Sequence, residues 1–85
     1  MEVIDYYRRS RRIIDQVAPK ISPKYRSMVL RARGAGAWDH AITTLVGALW
    51  EEDVVITTAE KDALRELMEY LREPLTRLEQ IRTSD

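Results

Sequence analysis

The residues that could carry chemistry are few, and they fall in three places. Arg8, Arg9, Arg11 and Arg12 crowd one short segment, with Ser10 among them and Tyr6 and Tyr7 just before. Guanidinium groups at this density suit an anion or a nucleic-acid backbone, although a solvated helix face has the same composition. The second place is Trp50-Glu51-Glu52-Asp53, an aromatic side chain followed by three carboxylates. Neighbouring residues on a helix point in different directions, so Glu51 and Glu52 do not face one site as an acid–base pair. The third is His40, the only histidine, beside Asp39. A lone histidine in a chain without cysteine offers neither a metal-ligand set nor a nucleophile–base pair, and a satisfied structural role is the simpler expectation for it.

Gly34-Ala35-Gly36 is the only glycine-rich stretch. Phosphate-cradling loops need a preceding strand and a longer glycine pattern, and neither is present, so it reads as a tight helix–helix turn. The inventory predicts no enzyme, no metal and no cofactor. Binding remains.

The elements that would position these residues are helices. Val3, Tyr6, Tyr7, Ser10, Ile13, Ile14 and Val17 trace an amphipathic helix over about residues 2–18, with the arginines on its outer side. Pro19 and Pro23 exclude a helix interior, and Ser22-Pro23 is a start signal, the serine capping and the proline in the first turn. A second helix over about 23–33 then has Tyr25, Met28, Val29 and Ala32 inward, and Gly34 is expected as the left-handed residue that ends it. The third, over about 36–52, is the most apolar: Trp38, Ala41, Ile42, Leu45 and Leu49 recur at helical spacing, with Val46 and Trp50 widening the stripe. Its less apolar side holds His40, Thr43, Thr44 and Gly47, which apart from the histidine are small enough for another helix or a partner to approach. Trp50 either completes the core or anchors an interface.

Val54-Val55-Ile56 is β-branched, but no second strand is evident to pair with it, so an extended link is expected. Thr57 and Glu60 have capping-box spacing, and the helix they open runs over about 58–82 with Leu64, Leu67, Met68 and Leu71 inward. Pro74 interrupts it near 73–74, while Leu75, Leu78 and Ile81 keep the phase, which predicts a kink or a nearly collinear restart. Thr83-Ser84-Asp85 is expected to fray. The fold class is all-α: a single four-helix, bundle-like domain covering residues 1–85.

At 85 residues the chain makes one domain with a thin stability margin and no disulfide support. Its opening, Met1-Glu2-Val3-Ile4-Asp5, lacks the basic and apolar segments of a secretory leader, and no apolar run reaches the 18–20 or so residues of a membrane span. A cytoplasmic location without membrane contact is the expectation. The formal net charge of zero hides a division: residues 1–34 hold nine Lys/Arg against three Asp/Glu, and residues 35–85 hold five against eleven. Such halves bind by their ends or neutralise each other on packing.

Three acids at a helix C-terminus oppose the dipole by about 0.3–1 kcal/mol. A local conflict of that kind marks either a functional demand or merely solvated acids. On the first reading, Trp50, Glu51, Glu52, Asp53, Glu60, Asp62, Glu66 and Glu69 form an aromatic anchor with an acidic surround, suited to a basic protein partner. The run Leu49-Trp50-Glu51-Glu52-Asp53-Val54-Val55-Ile56-Thr57-Thr58-Ala59-Glu60, followed by Leu64, Leu67 and Leu71, resembles the small helical immunity proteins of bacterial polymorphic-toxin systems, including contact-dependent growth inhibition. The likeness covers about residues 40–72. It implies a cytoplasmic protein that sequesters the C-terminal toxin domain of a neighbour's effector. Many such toxins are nucleases with basic clefts, which suits the acidic half, whereas the basic first helix departs from a simple nucleic-acid mimic.

An alternative is a small nucleic-acid-binding regulator using Arg8, Arg9, Arg11 and Arg12. Residues 37–52 present Thr, His and acids where a recognition helix needs Arg, Lys, Asn or Gln, which counts against it. A helical dimerisation module built on the leucines of the last helix is a further alternative. The chain is expected to be a monomer or weak dimer.

Overall fold

The computed structural model describes residues 1–85. Five helices follow in order: α1 (Val3–Val17), α2 (Pro23–Gly34), α3 (Trp38–Glu51), α4 (Thr58–Tyr70) and the single turn α5 (Thr76–Glu79), with a 3-10 turn at Ala18–Lys20 after α1. The all-α, bundle-like architecture agrees with the helical stripes in the sequence. At the centre is α3, whose Ala41, Ile42, Leu45, Val46, Ala48 and Leu49 are all buried. It packs against α2 along most of its length and also against α1, α4 and α5. One apolar cluster results, running from Tyr6 and Ile14 on α1 through Leu64 and Leu67 on α4 to Leu78 and Ile81. No helix is long and apolar enough to cross a membrane.

On α1, Tyr6, Ser10, Ile13, Ile14 and Val17 face inward, while Val3 and Tyr7 are exposed. Ser10 therefore interrupts the arginine run because it belongs to the core face. The Tyr6 and Ser10 hydroxyls are both buried without a hydrogen-bond partner, and burial pushes the Tyr6 phenol up. On α2, Val29 and Ala32 are buried and Tyr25 is half-buried, but Met28 faces solvent.

Three helices end in the same way. In each, the residue after the C-cap is left-handed, and two reversed backbone bonds close the turn. For α2, Gly36 (φ 74°) donates to Arg33 O and Ala37 to Ala32 O. For α3, Asp53 (φ 52°) donates to Trp50 O and Val54 to Leu49 O. For α4, Arg72 (φ 57°) donates to Glu69 O and Glu73 to Met68 O. Two expectations are corrected here. The left-handed glycine is Gly36, so α3 begins at Trp38, because Gly34 is still helical. And the helix from residue 58 stops at Tyr70, before Pro74 acts; the left-handed Arg72 ends it, and Pro74 keeps Glu73 from resuming. The restart comes as α5, which packs on α3.

The last residues are also held. Ile56 donates to Arg82 O (3.2 Å), Ser84 donates to Ile56 O (2.9 Å), and the Asp85 carboxylate accepts from Thr58 N (2.9 Å). Ile56 and Thr83 form an isolated parallel bridge, so the link does have a partner strand, one residue long. Lys61 Nζ donates to Glu79 O and Ile81 O, holding the tail from the other side. The expected fraying is therefore corrected: a segment whose backbone and side chains are bonded this fully is part of the fold.

Candidate protein-binding site

The acidic triplet closes α3 at a junction of three elements, and each carboxylate has a separate intrachain partner. The Tyr25 hydroxyl on α2 donates to Glu51 Oε2. The Ser22 backbone N–H, at the mouth of α2, donates to Glu52 Oε1 at 2.9 Å. Arg82 donates to both oxygens of Asp53, from Nε at 3.2 Å and from Nη2 at 2.9 Å. The cost of acids at a helix C-terminus is thus offset by fixing α2 and the tail. Bonds from Ser22 hold the Glu52 carboxyl below its ordinary value, and the bond to Glu51 raises the Tyr25 phenol. Ser22 is the N-cap of α2, but its side chain makes no cap bond; the glutamate side chain serves its backbone instead.

Glu60 brings a further correction. It was expected on the outer, partner-facing surface of its helix, yet it is only 3% exposed. The capping box is formed: Thr57 Oγ1 accepts from Glu60 N, and Glu60 Oε1 accepts from Thr57 N at 2.8 Å. The same oxygen accepts from Lys20 Nζ at 2.8 Å, and Oε2 accepts from Gln16 Nε2 at 2.9 Å. Burial pushes this carboxyl up, but the Lys20, Thr57 and Gln16 donors outweigh it and leave it below its ordinary value. Capping geometry turned the residue inward, and α1 covered it. No partner can reach it.

The remaining acids of α4 lie outside. Asp62, Glu66 and Glu69 are exposed, with Asp62 paired to Arg65 at 3.1 Å and Glu66 to Arg9. That last pair joins the two halves of opposite charge, which neutralise each other in part where α1 lies on α4. The arginines consequently divide. Arg9 is tied to Glu66, and Arg8 comes within 3.9 Å of Asp5. Arg11 and Arg12 are exposed and have no carboxylate partner. Between α1 and α4 a cleft of about 500 Å³ is lined by Arg9, Arg12, Gln16 and Glu66 over Ile13 and Ala63.

Trp50 answers the question the sequence left open. The residue is 40% exposed at the end of α3. It is nevertheless held: Nε1 donates to Gln80 Oε1 at 2.7 Å, and the Arg77 guanidinium sits 4.8 Å from the ring centroid. The ring borders a groove of about 480 Å³ between α3 and residues 73–80, with Val46 and Met68 in its floor and Glu73 and Arg77 on its rim. Arg77 also lies over Gly47, where a Cβ would stand in ordinary contact, 3.8 Å from Nη1, so the approach does not depend on the glycine. Trp38, at the other end of α3, is half-buried against the core.

Gln80 and Arg77 were missed by sequence reasoning, because their contacts with Trp50 span about thirty residues and no local pattern signals them. His40 is exposed and bonded to Asp39 only through its backbone N–H, which corrects the expected structural histidine. No group of three or more His, Asp or Glu side chains converges as a metal ion requires. No family model, curated protein or solved structure matches this chain.

Proposed function

We propose that this chain is a protein-binding module that neutralises a toxin domain of a bacterial polymorphic-toxin system by one-to-one sequestration. A protein-binding role is carried by one observation, the solvent-facing ring of Trp50 fixed between Gln80 and Arg77. A large aromatic surface already held in place buries much area on contact and loses little conformational freedom, which is the profile of an interface hot spot. Glu73, on the rim of the same groove, supplies charge that steers a basic partner toward it.

The toxin-neutralising form of the reading rests on the likeness of residues 40–72 to small helical immunity proteins. The acidic triplet lends it less support than its composition suggested, because its carboxylates hold the fold together. Neutralisation of this kind takes place in the cytoplasm of the cell the toxin enters.

The test is co-expression with the C-terminal domain of a large secreted protein encoded immediately upstream. Growth should be rescued, and the two chains should co-elute as a one-to-one complex. Trp50→Ala, at a surface position the core does not need, should weaken the complex by about thirtyfold or more while leaving the far-ultraviolet circular dichroism unchanged. Failure of the intact chain to rescue growth or form a complex defeats the neutralisation reading. Unchanged affinity in Trp50→Ala moves the site elsewhere.

A further inference from the structure

The groove beside Trp50 holds polar groups that the fold leaves without partners, and they gather at its two ends. At the Trp50 end, Gln80 accepts from the indole with Oε1, which fixes the amide and leaves its NH2 group with no acceptor. Arg77 lies over the ring and pairs with no carboxylate. A guanidinium attracted by an aromatic face keeps its N–H groups for an acceptor. Glu73 is the only carboxylate lining the groove, and no donor reaches it. It stands where α4 closes, its N–H donating to Met68 O, whereas Arg77 and Gln80 come later, on the segment that packs back along α3. Between these poles the floor is apolar, with Val46 2% and Met68 5% exposed.

Glu73 and Arg77 are four residues apart and opposite in charge, yet Pro74 breaks the helix between them and they form no ion pair. Two unpaired charges of opposite sign across an apolar floor restrict what fits. A segment of one charge sign meets repulsion at one pole. A segment with both signs in the matching order meets none, and its apolar middle covers the floor.

We propose that this groove takes a short segment of the protein partner in which an apolar side chain lies between a base and an acid. The apolar residue rests on Val46 and Met68, the base meets Glu73, and the acid meets Arg77 and the Gln80 amide. The assignment rests on Trp50 as the contact with a protein partner and specifies what that partner presents there. It also gives the segment a direction, base toward the end of α4 and acid toward Trp50. The groove follows α3 from Thr43 to Trp50, about 10 Å along the helix axis. Residues i, i+2 and i+4 of an extended chain share a face and span about 13 Å, so a base and an acid four apart reach both poles with the apolar residue between them.

The test is an NMR titration of the isotope-labelled full chain with a blocked pentapeptide, Lys-Ala-Leu-Ala-Glu. The two tryptophans give two indole N–H signals, so Trp38, at the other end of α3, is the internal control. The Trp50 indole and the Gly47 amide should move and saturate, with a dissociation constant on the order of 1 mM, while Trp38 stays in place. Lys-Ala-Leu-Ala-Lys and Glu-Ala-Leu-Ala-Glu should each bind at least about fivefold more weakly. Charge reversal should redirect the preference: Glu73→Lys toward the all-acidic peptide, and Arg77→Glu toward the all-basic one. Both side chains are exposed, so the melting curves should change little. No saturable movement at Trp50 up to about 10 mM, equal binding of the three peptides, or an unchanged preference in both variants each overturns the proposal. So does a Trp50 signal that moves with protein concentration alone, which gives the groove to a second copy. In the complex with the toxin domain, an affinity lowered by Trp50→Ala but by neither charge reversal keeps Trp50 as the contact and discards the two poles. Peptide binding as expected, without any toxin complex, supports the groove and defeats neutralisation alone.

Discussion

The carboxylates of residues 51–60 and those of residues 62–73 look alike as a list of acids, yet they do different work. Glu52 accepts from the backbone that opens α2 and Glu60 is buried under α1 with three donors, whereas Asp53, which holds Arg82 with both oxygens, forms an exposed pair. Asp62, Glu66 and Glu69 face solvent, and the pairs formed by the first two are with exposed or half-exposed arginines. Pairs of the second kind contribute about 0–1 kcal/mol. A carboxylate that accepts from buried or backbone donors contributes more, and its removal leaves those donors unmatched. Acidic composition therefore says little about binding until the donors are known.

The largest test of this division is Glu60→Ala. It removes half of the capping box and strands Lys20 and Gln16, and should cost about 3 kcal/mol in urea unfolding. Next in size is the response to acid. The carboxyls of Glu52 and Glu60 both lie below their ordinary value of 4.5 in the folded chain. A lowered acid binds its proton more weakly when folded, so it stabilises the fold above 4.5; that contribution starts to fade as the pH falls past 4.5 and is gone below the folded value. Thermal melts between pH 7 and pH 3 should show this decline, and Glu60→Gln should flatten it.

Smaller effects separate the two left-handed residues. Arg72 and Asp53 occupy the same position of the same kind of helix stop. Glycine is relaxed there, so Arg72→Gly should raise stability by about 0.5–1 kcal/mol. Asp53→Gly gains the same relaxation but loses the pair with Arg82, and should be close to neutral. Smallest of all, Glu69→Gln should change stability by less than about 0.5 kcal/mol. If it costs as much as Glu60→Ala, the division between the two groups of acids is wrong.

Local features of the fold were legible in the sequence. The apolar stripe of α3, the Thr57–Glu60 capping box and the inward Leu64 and Leu67 all follow from spacing within one or two turns. What was not legible depends on partners far along the chain. Glu52 finds Ser22, Trp50 finds Gln80, and Ile56 finds the tail, each about thirty residues distant. The stops at Asp53 and Arg72 escaped because left-handed backbone is usually announced by glycine, and here two of the three sites lack it. Glu60 was placed outside for a similar reason: its helical register alone does not reveal that α1 closes over it. Trp50 could not be assigned from its stripe, since a ring at the edge of a helix face lies in the core or outside it according to what packs alongside.

The closure of α1 over Glu60 also bears on the order in which the chain folds. Between α2 and α3 the contacts span a short turn, and this pair has the most extensive packing in the molecule. The bonds from Gln16 and Lys20 to Glu60 close loops of 44 and 40 residues, and Arg9 to Glu66 closes one of 57. Loops of that length lose more entropy on closing, so the α2–α3 hairpin is the natural nucleus and the α1–α4 seam forms after the barrier. Loss of the Glu60 contacts should then appear almost wholly as faster unfolding, with the refolding rate in stopped-flow mixing little changed. The buried carboxylate that ties the seam would set how long the native state lasts more than how quickly it is reached.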